Sequence, residues 1–424
     1  MRIFACLVLA AITPLAAQQA PTVRLIAAPD ASSKQTLGVV TAVRQLPNGG
    51  LLVNDVLKRQ LLMFDPTLAT ELVVADSTSG GATSYGPSAG AIVSYYGDST
   101  LFIDPRDLSM FVIGPAGNIA RVAAVPRSQD AGMMGSNITG APALDNRGRL
   151  VYRSAGFRAL PKMTGGVMVA PEFPDSAAIV RVDLASRKLD TAGFYKIAKQ
   201  KVNIQQSERG VSIITEMNPL PVVDDWAVLA DGSIAIVRGQ DYHVDWLNTD
   251  GTVSAFPKLQ FEWQRLSDDD KVAVIDSAKA QMERVRSDAA AAGLAGAALS
   301  AAGGTRVAIN MSTSGDGAAQ SRSMSAGALP PLTFISPSEL PDYRPAFTQG
   351  SVKADLDDNL WIRTSATRAG AIAGPIYDVV NRKGELVDRI QLPAGRTIVG
   401  FGKGGVVYMP ARDEKGAWLE RTHR

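Results

Sequence analysis

Cysteine and histidine are nearly absent from this 424-residue chain: there is one cysteine, Cys6, and there are two histidines, His243 and His423. A three-histidine zinc site is excluded, histidine acid–base chemistry has little to work with, and no intramolecular disulfide can form. Charge of one sign is lacking too, since 43 basic and 41 acidic residues leave a formal net charge of +2. A nucleic-acid binder normally carries a basic excess, so that class is set aside. No bilayer-spanning run is evident; the N-terminal apolar stretch, residues 3–17, is short and broken by Thr13 and Pro14. What remains is an ordinary apolar fraction of 46%, enough for a core, at a length that suits two or three domains or one large repeat fold.

The N-terminus itself carries information. Met1-Arg2, the apolar stretch and the small-residue exit Leu15-Ala16-Ala17 predict a secretory signal peptide over residues 1–17. Cys6 lies inside it, without the surroundings of a lipidation site. Cleavage after Ala17 predicts a periplasmic or secreted mature chain, 18–424, with no cysteine and no membrane span. Without disulfides, such a chain must rely on a large core.

One pattern recurs: an apolar strand, a tight turn of Gly, Asn or Asp, then a second apolar strand. The turns fall at residues 47–50, 97–99, 145–148, 231–232, 357–359 and 402–404. Such residues suit strand reversals because they accept positive φ at low cost. A second hairpin follows each copy, which makes each unit about four strands. The second strands begin at 51, 101, 150, 234, 360 and 406, at spacings of 50, 49, 84, 126 and 46. A base period of 46 to 50 with two large insertions predicts an all-β, six-bladed β-propeller of four-stranded blades. The sixth unit is one strand short, and residues 22–27 form an unassigned apolar strand, which is expected to complete the last blade and close the ring.

Blade one reads Gly49-Gly50-Leu51-Leu52-Val53-Asn54-Asp55, then Arg59 and Leu62-Met63-Phe64-Asp65. This resembles the six-bladed NHL-repeat and TolB-like propellers of exported bacterial proteins. The resemblance implies the fold and leaves open lactonase, lyase and binding roles.

All long segments fall in loops of one topological class: residues 153–176 and 364–374 inside blades, 203–217 and 261–350 between them. They should crowd one end of the ring, which is where a binding surface is expected. The largest, taken as an insertion over 262–343 between blades four and five, opens with Ser267-Asp268-Asp269-Asp270, a helix start. An amphipathic helix is predicted to about Arg286, with Val272, Ile275, Ala278, Met282 and Val285 on its apolar stripe. Its role is open between a lid over the propeller mouth and a docking element. Residues 312–327, rich in Ser, Gly and Ala, predict a mobile stretch.

Catalytic motifs do not hold up. Gly86-Pro87-Ser88-Ala89-Gly90 spells a nucleophile elbow, but no helix follows Ser88. Gly400, Gly402 and Gly405 match a dinucleotide fingerprint by spacing and form a blade turn instead. Asp355, Asp357 and Asn359 have calcium-loop spacing without the glycine and glutamate that such a loop needs. Basic residues are the less generic signal. Arg153, Arg238 and Arg363 fall near the ends of second strands, Arg158, Lys162 and Arg368 lie in the adjoining loops, and Lys58 and Arg59 sit in blade one. A basic rim of Arg153, Arg158, Arg238, Arg363 and Arg368 suits an anionic ligand or an acidic partner segment. Trp226, Trp246, Trp361 and Trp418 sit at repeat positions and are expected in the inter-blade core. The sequence therefore predicts a monomeric binding scaffold for a protein or peptide, without cofactor or nucleic acid, and leans away from catalysis. The alternative is a calcium-dependent lactonase or hydrolase using carboxylates in the channel.

Overall fold

The computed structural model describes residues 21–424 except 79–83, 87–89, 137–139, 157–161, 165–166, 170–171, 208–209, 292–332, 367–373 and 415. The predicted signal peptide, Ser88, Arg158, Arg368 and residues 312–327 lie outside the described residues.

Six sheets, each containing four antiparallel strands, follow one another along the chain. Blade one is Val40–Gln45, Leu51–Asp55, Gln60–Phe64 and Glu71–Asp76, paired in that order. The others repeat it, with second strands Thr100–Asp104, Leu150–Arg153, Ile234–Arg238, Leu360–Thr364 and Val406–Asp413. Second strands are sandwiched between neighbouring blades, and every residue of Leu51–Asp55 and Thr100–Asp104 is buried. That explains their near-continuous apolar sequences. First strands of blades six and one, one and two, two and three, and four and five touch each other, so the first strand of each blade forms the inner wall. The chain is a six-bladed β-propeller.

The expected N-terminal closure occurs one segment later than the apolar pattern indicates. Val23–Leu25 pairs in parallel with Leu386–Gln391 as a fifth strand of blade five, Val23 opposite Arg389. Ile26 buries beside Trp361, Tyr377 and Ile390, and Arg24 pairs with Asp388 at 2.6 Å. The strand that completes blade six is Ala31–Ser32, antiparallel to Gly416–His423. Backbone bonds from Ser33 N to Leu419 O at 2.8 Å and from Leu37 N to Ala417 O at 2.7 Å continue the seam. The more apolar segment thus covers a blade flank, while the shorter and more polar one supplies backbone pairing.

Large side chains fill the gaps between blades. Trp226 lies among Val151, Ile179 and Tyr195 of blade three, and Trp361 lies against Phe401, Val407 and Met409 of blade six. Both, and Trp246, are fully buried. Burying one such side chain is worth about 1.5–3 kcal/mol. Trp418 is only half-buried, under the Arg396 guanidinium.

The two ends of the ring are built differently. At one end many of the turns are Asx turns, in which a side-chain oxygen takes the place of a backbone carbonyl. Asn48, Asp145, Asp231 and Asp355 accept backbone N–H groups of Gly50, Arg147, Ser233 and Asp357, and Asp65, Asp250 and Asn381 repeat the device in third-to-fourth turns. Asp355 also accepts the indole N–H of Trp361 at 2.9 Å, which fixes the apparent calcium loop as a turn. Gly232 sits at φ +84°, where a Cβ would come within 2.3 Å of Asn146 N, so neither conformation nor space admits a side chain.

Candidate functional site

At the other end, buried carboxylates tie the incoming crossing of a blade to the end of its second strand. Asp55 accepts the N–H groups of Gly38 at 2.6 Å and Val39 at 3.1 Å, and Asp104 accepts that of Gly86 at 2.8 Å. In blades three and four the direction reverses. Asp130 and Asp224, from the crossings, accept the N–H groups of Ala155 at 2.9 Å and Gly239 at 3.0 Å. This gives the nucleophile-elbow glycines a structural purpose. A Cβ on Gly86 would lie 2.4 Å from Asp104 Oδ2, and one on Gly90 would lie 2.5 Å from the Phe102 ring.

The four long segments extend from this latched end, as their loop class requires. The one between blades three and four is a hairpin, Lys201–Ser207 with Gly210–Glu216. The one between blades four and five carries the helix Asp268–Ala291 and the 3-10 turn Pro337–Glu339. Ser267 and Asp270 cap the helix start reciprocally. The two insertions are joined. Met217 N donates to Thr333 O at 2.9 Å, Ile335 N returns to Met217 O at 3.1 Å, and Lys201 bridges Glu216 and Glu339. Beneath them Leu220, Leu266, Ile335 and Leu340 form a small apolar cluster against Val274 and Ile275 of the helix. The legs of the larger insertion are held by Leu266 N to Asp342 O at 2.8 Å and Arg344 N to Gln264 O at 2.9 Å. On those legs Trp263 and Tyr343 remain 38% and 49% exposed.

The predicted basic residues have distinct surroundings. Arg238 is engaged by two carboxylates, Asp224 at 2.8 Å and Asp245 at 2.7 Å. Burial works against its charge, yet those hydrogen bonds prevail and raise its pKa. Arg153 is half-buried at the end of its strand in blade three. Arg363 lines a cavity of about 310 Å³ between the inner ends of blades five, six and one. Neither Arg153 nor Arg238 lines it. His243 is held between Asp241 and Asp245, and His423 faces Asp30, so both serve blade packing.

A second cation in the cavity, Lys353, was not singled out by the sequence analysis, although a lysine in an inner strand breaks the apolar alternation there. Burial lowers its pKa, Asp225 opposes that, and Arg363 adds to it. Asp225 lies fully buried in the adjoining strand of blade four, where it accepts the N–H groups of Val352 and Trp226, each at 3.0 Å. Burial pushes its carboxyl up to about 7, against those hydrogen bonds.

Among the described residues, no group of three or more His, Cys, Asp or Glu side chains could hold a metal ion. No helix among them is long and apolar enough to cross a membrane.

No protein-family model and no curated protein matches the chain. Solved structures do. One is a gluconolactonase of Xanthomonas campestris, at 10% identity over 96% of this chain and 99% of that one, TM-score 0.37. Another is a member of the DUF4221 family from Bacteroides vulgatus, at 9% identity over 96% and 99%, TM-score 0.49. A third is the calcium-binding protein regucalcin of Agrobacterium tumefaciens, at 10% identity over 95% and 97%, TM-score 0.39. The six-bladed ring rests on its own strand register, independently of these likenesses.

Proposed function

We propose that the protein is an exported propeller of the NHL or TolB-like kind that binds a protein or peptide segment on the face carrying the insertions. The supporting observation is the joined platform, which holds Trp263 and Tyr343 partly in solvent on hydrogen-bonded legs. Aromatic side chains on a rigid support are the usual anchors of protein interfaces. Arg153 and Arg363 add positive charge to the same end and favour an acidic segment. A photo-crosslinking residue at position 343, in the host that makes the protein, is expected to give one discrete adduct that Trp263→Ala abolishes. An equal adduct from position 383, in a turn at the opposite end, with none from 343, overturns the reading.

The lactonase alternative needs channel carboxylates for calcium, and the described residues do not fit that requirement. Asp55, Asp104, Asp130 and Asp224 are all committed to backbone N–H groups, so no catalytic step is assigned to them.

A further inference from the structure

We infer that the cavity between the inner ends of blades five, six and one is a binding site for a small oxyanion, with Lys353 and Arg363 as its charged ligands. It goes beyond the partner-binding reading, because it rests on the cavity alone.

Three observations lead there. The first is charge. Among the described residues, Lys353 and Arg363 are the charged side chains lining the cavity, and both are basic. Gln349, Ser351, Tyr377 and Thr397 supply neutral polar groups around them.

The second is the state of those two cations. Many arginines elsewhere are paired, Arg149 with Asp145, Arg389 with Asp378, Arg396 with Glu420 and Arg421 with Asp30, and Arg44 is held by Ser94 and Thr100. Beyond the backbone pairing of their strands, the side chains of Lys353 and Arg363 have no ion pair and no hydrogen bond with any described residue. Asp225 does not fill that role, since its oxygens already accept backbone N–H groups and it acts on Lys353 only through its field. Two like charges facing one concave space are mutually unfavourable, and an anion between them relieves both.

The third is size. About 310 Å³ holds a small dicarboxylate or a phosphate and is at the lower end for ligand pockets. Carboxylate and phosphate share the chemistry that a guanidinium and an ammonium recognise, so the probe distinguishes them.

The test is isothermal titration of the full-length protein with succinate and, separately, inorganic phosphate. One of them is expected to bind one-to-one, more weakly as sodium chloride is raised. Arg363→Gln is expected to weaken binding about tenfold or more, and Arg363→Lys by less. Lys353→Gln should act like Arg363→Gln. Arg363→Gln carries the test if the lysine variant fails to fold by circular dichroism. Succinate binding identifies an organic acid as the natural ligand class, and phosphate binding a phosphorylated one. Trp263→Ala is expected to leave the titration unchanged, which separates this site from the partner face. The inference is overturned if neither anion binds at about 10 mM, or if Arg363→Gln binds as the unaltered protein does.

Discussion

Asp225 is fully buried, and its hydrogen-bond partners among the described residues are backbone N–H groups. Its pKa rises from 3.8 to about 7, first because burial disfavours the anion. Between about pH 4 and pH 7 the folded chain therefore retains a proton that the unfolded chain has released. Stability falls as pH rises across that window and levels off above it. Carboxylates such as Asp30 and Glu339, whose pKa values are lowered by Arg421 and Lys201, act at lower pH and in the opposite sense, losing their contribution as pH falls. Asp225→Asn cannot ionise, so its melting temperature relative to the unaltered protein should rise from pH 4 to pH 7. A difference that stays flat across that range would show that Asp225 is charged throughout.

The insertion between blades four and five shows what a sequence pattern reveals about an element and what it leaves out. The helix start was legible, because Ser267 and Asp270 cap each other locally. The buried stripe was legible only in part, for Ile275, Ala278 and Met282 are half-buried. Val272 and Val285, expected on it, are 46% and 44% exposed, whereas Lys271 is 6% exposed and reaches Asp342 at 2.8 Å. Periodicity shows which residues are apolar, but not what the helix leans on, and a lysine stem buries well when its ammonium finds an acid. The blade turns were legible for the same local reason as the helix start. Lys353 and the carboxylate latches were not, because each acts between segments that no local pattern relates. The insertion stands on the cluster of Leu220, Leu266, Ile335 and Leu340. Leu266→Ala is expected to cost about 2–5 kcal/mol locally. Limited proteolysis should then cut between blades four and five well before the ring melts. Loss of the ring at the same protease concentration would show that insertion and ring unfold as one unit.

At the scale of the molecule, the two N-terminal strands have separable roles. Removing residues through Ala27 deletes the added strand of blade five but spares Ala31–Ser32, and should lower the melting temperature with a single transition retained. Removing residues through Ser33 deletes the strand that completes blade six and exposes the edge of Gly416–His423. That variant should unfold over a broad range and self-associate, which light scattering during a thermal melt would show. Equal behaviour of the two truncations would mean that the parallel strand, rather than the antiparallel one, secures the ring. The same seam imposes an order on biosynthesis. A ribosome delivers Ala31–Ser32 before blade one, yet their partner strand, Gly416–His423, emerges only after blade five is complete. A chain that stops prematurely after blade five therefore has no circle, and Ala31–Ser32 is left waiting for a neighbour that never arrives.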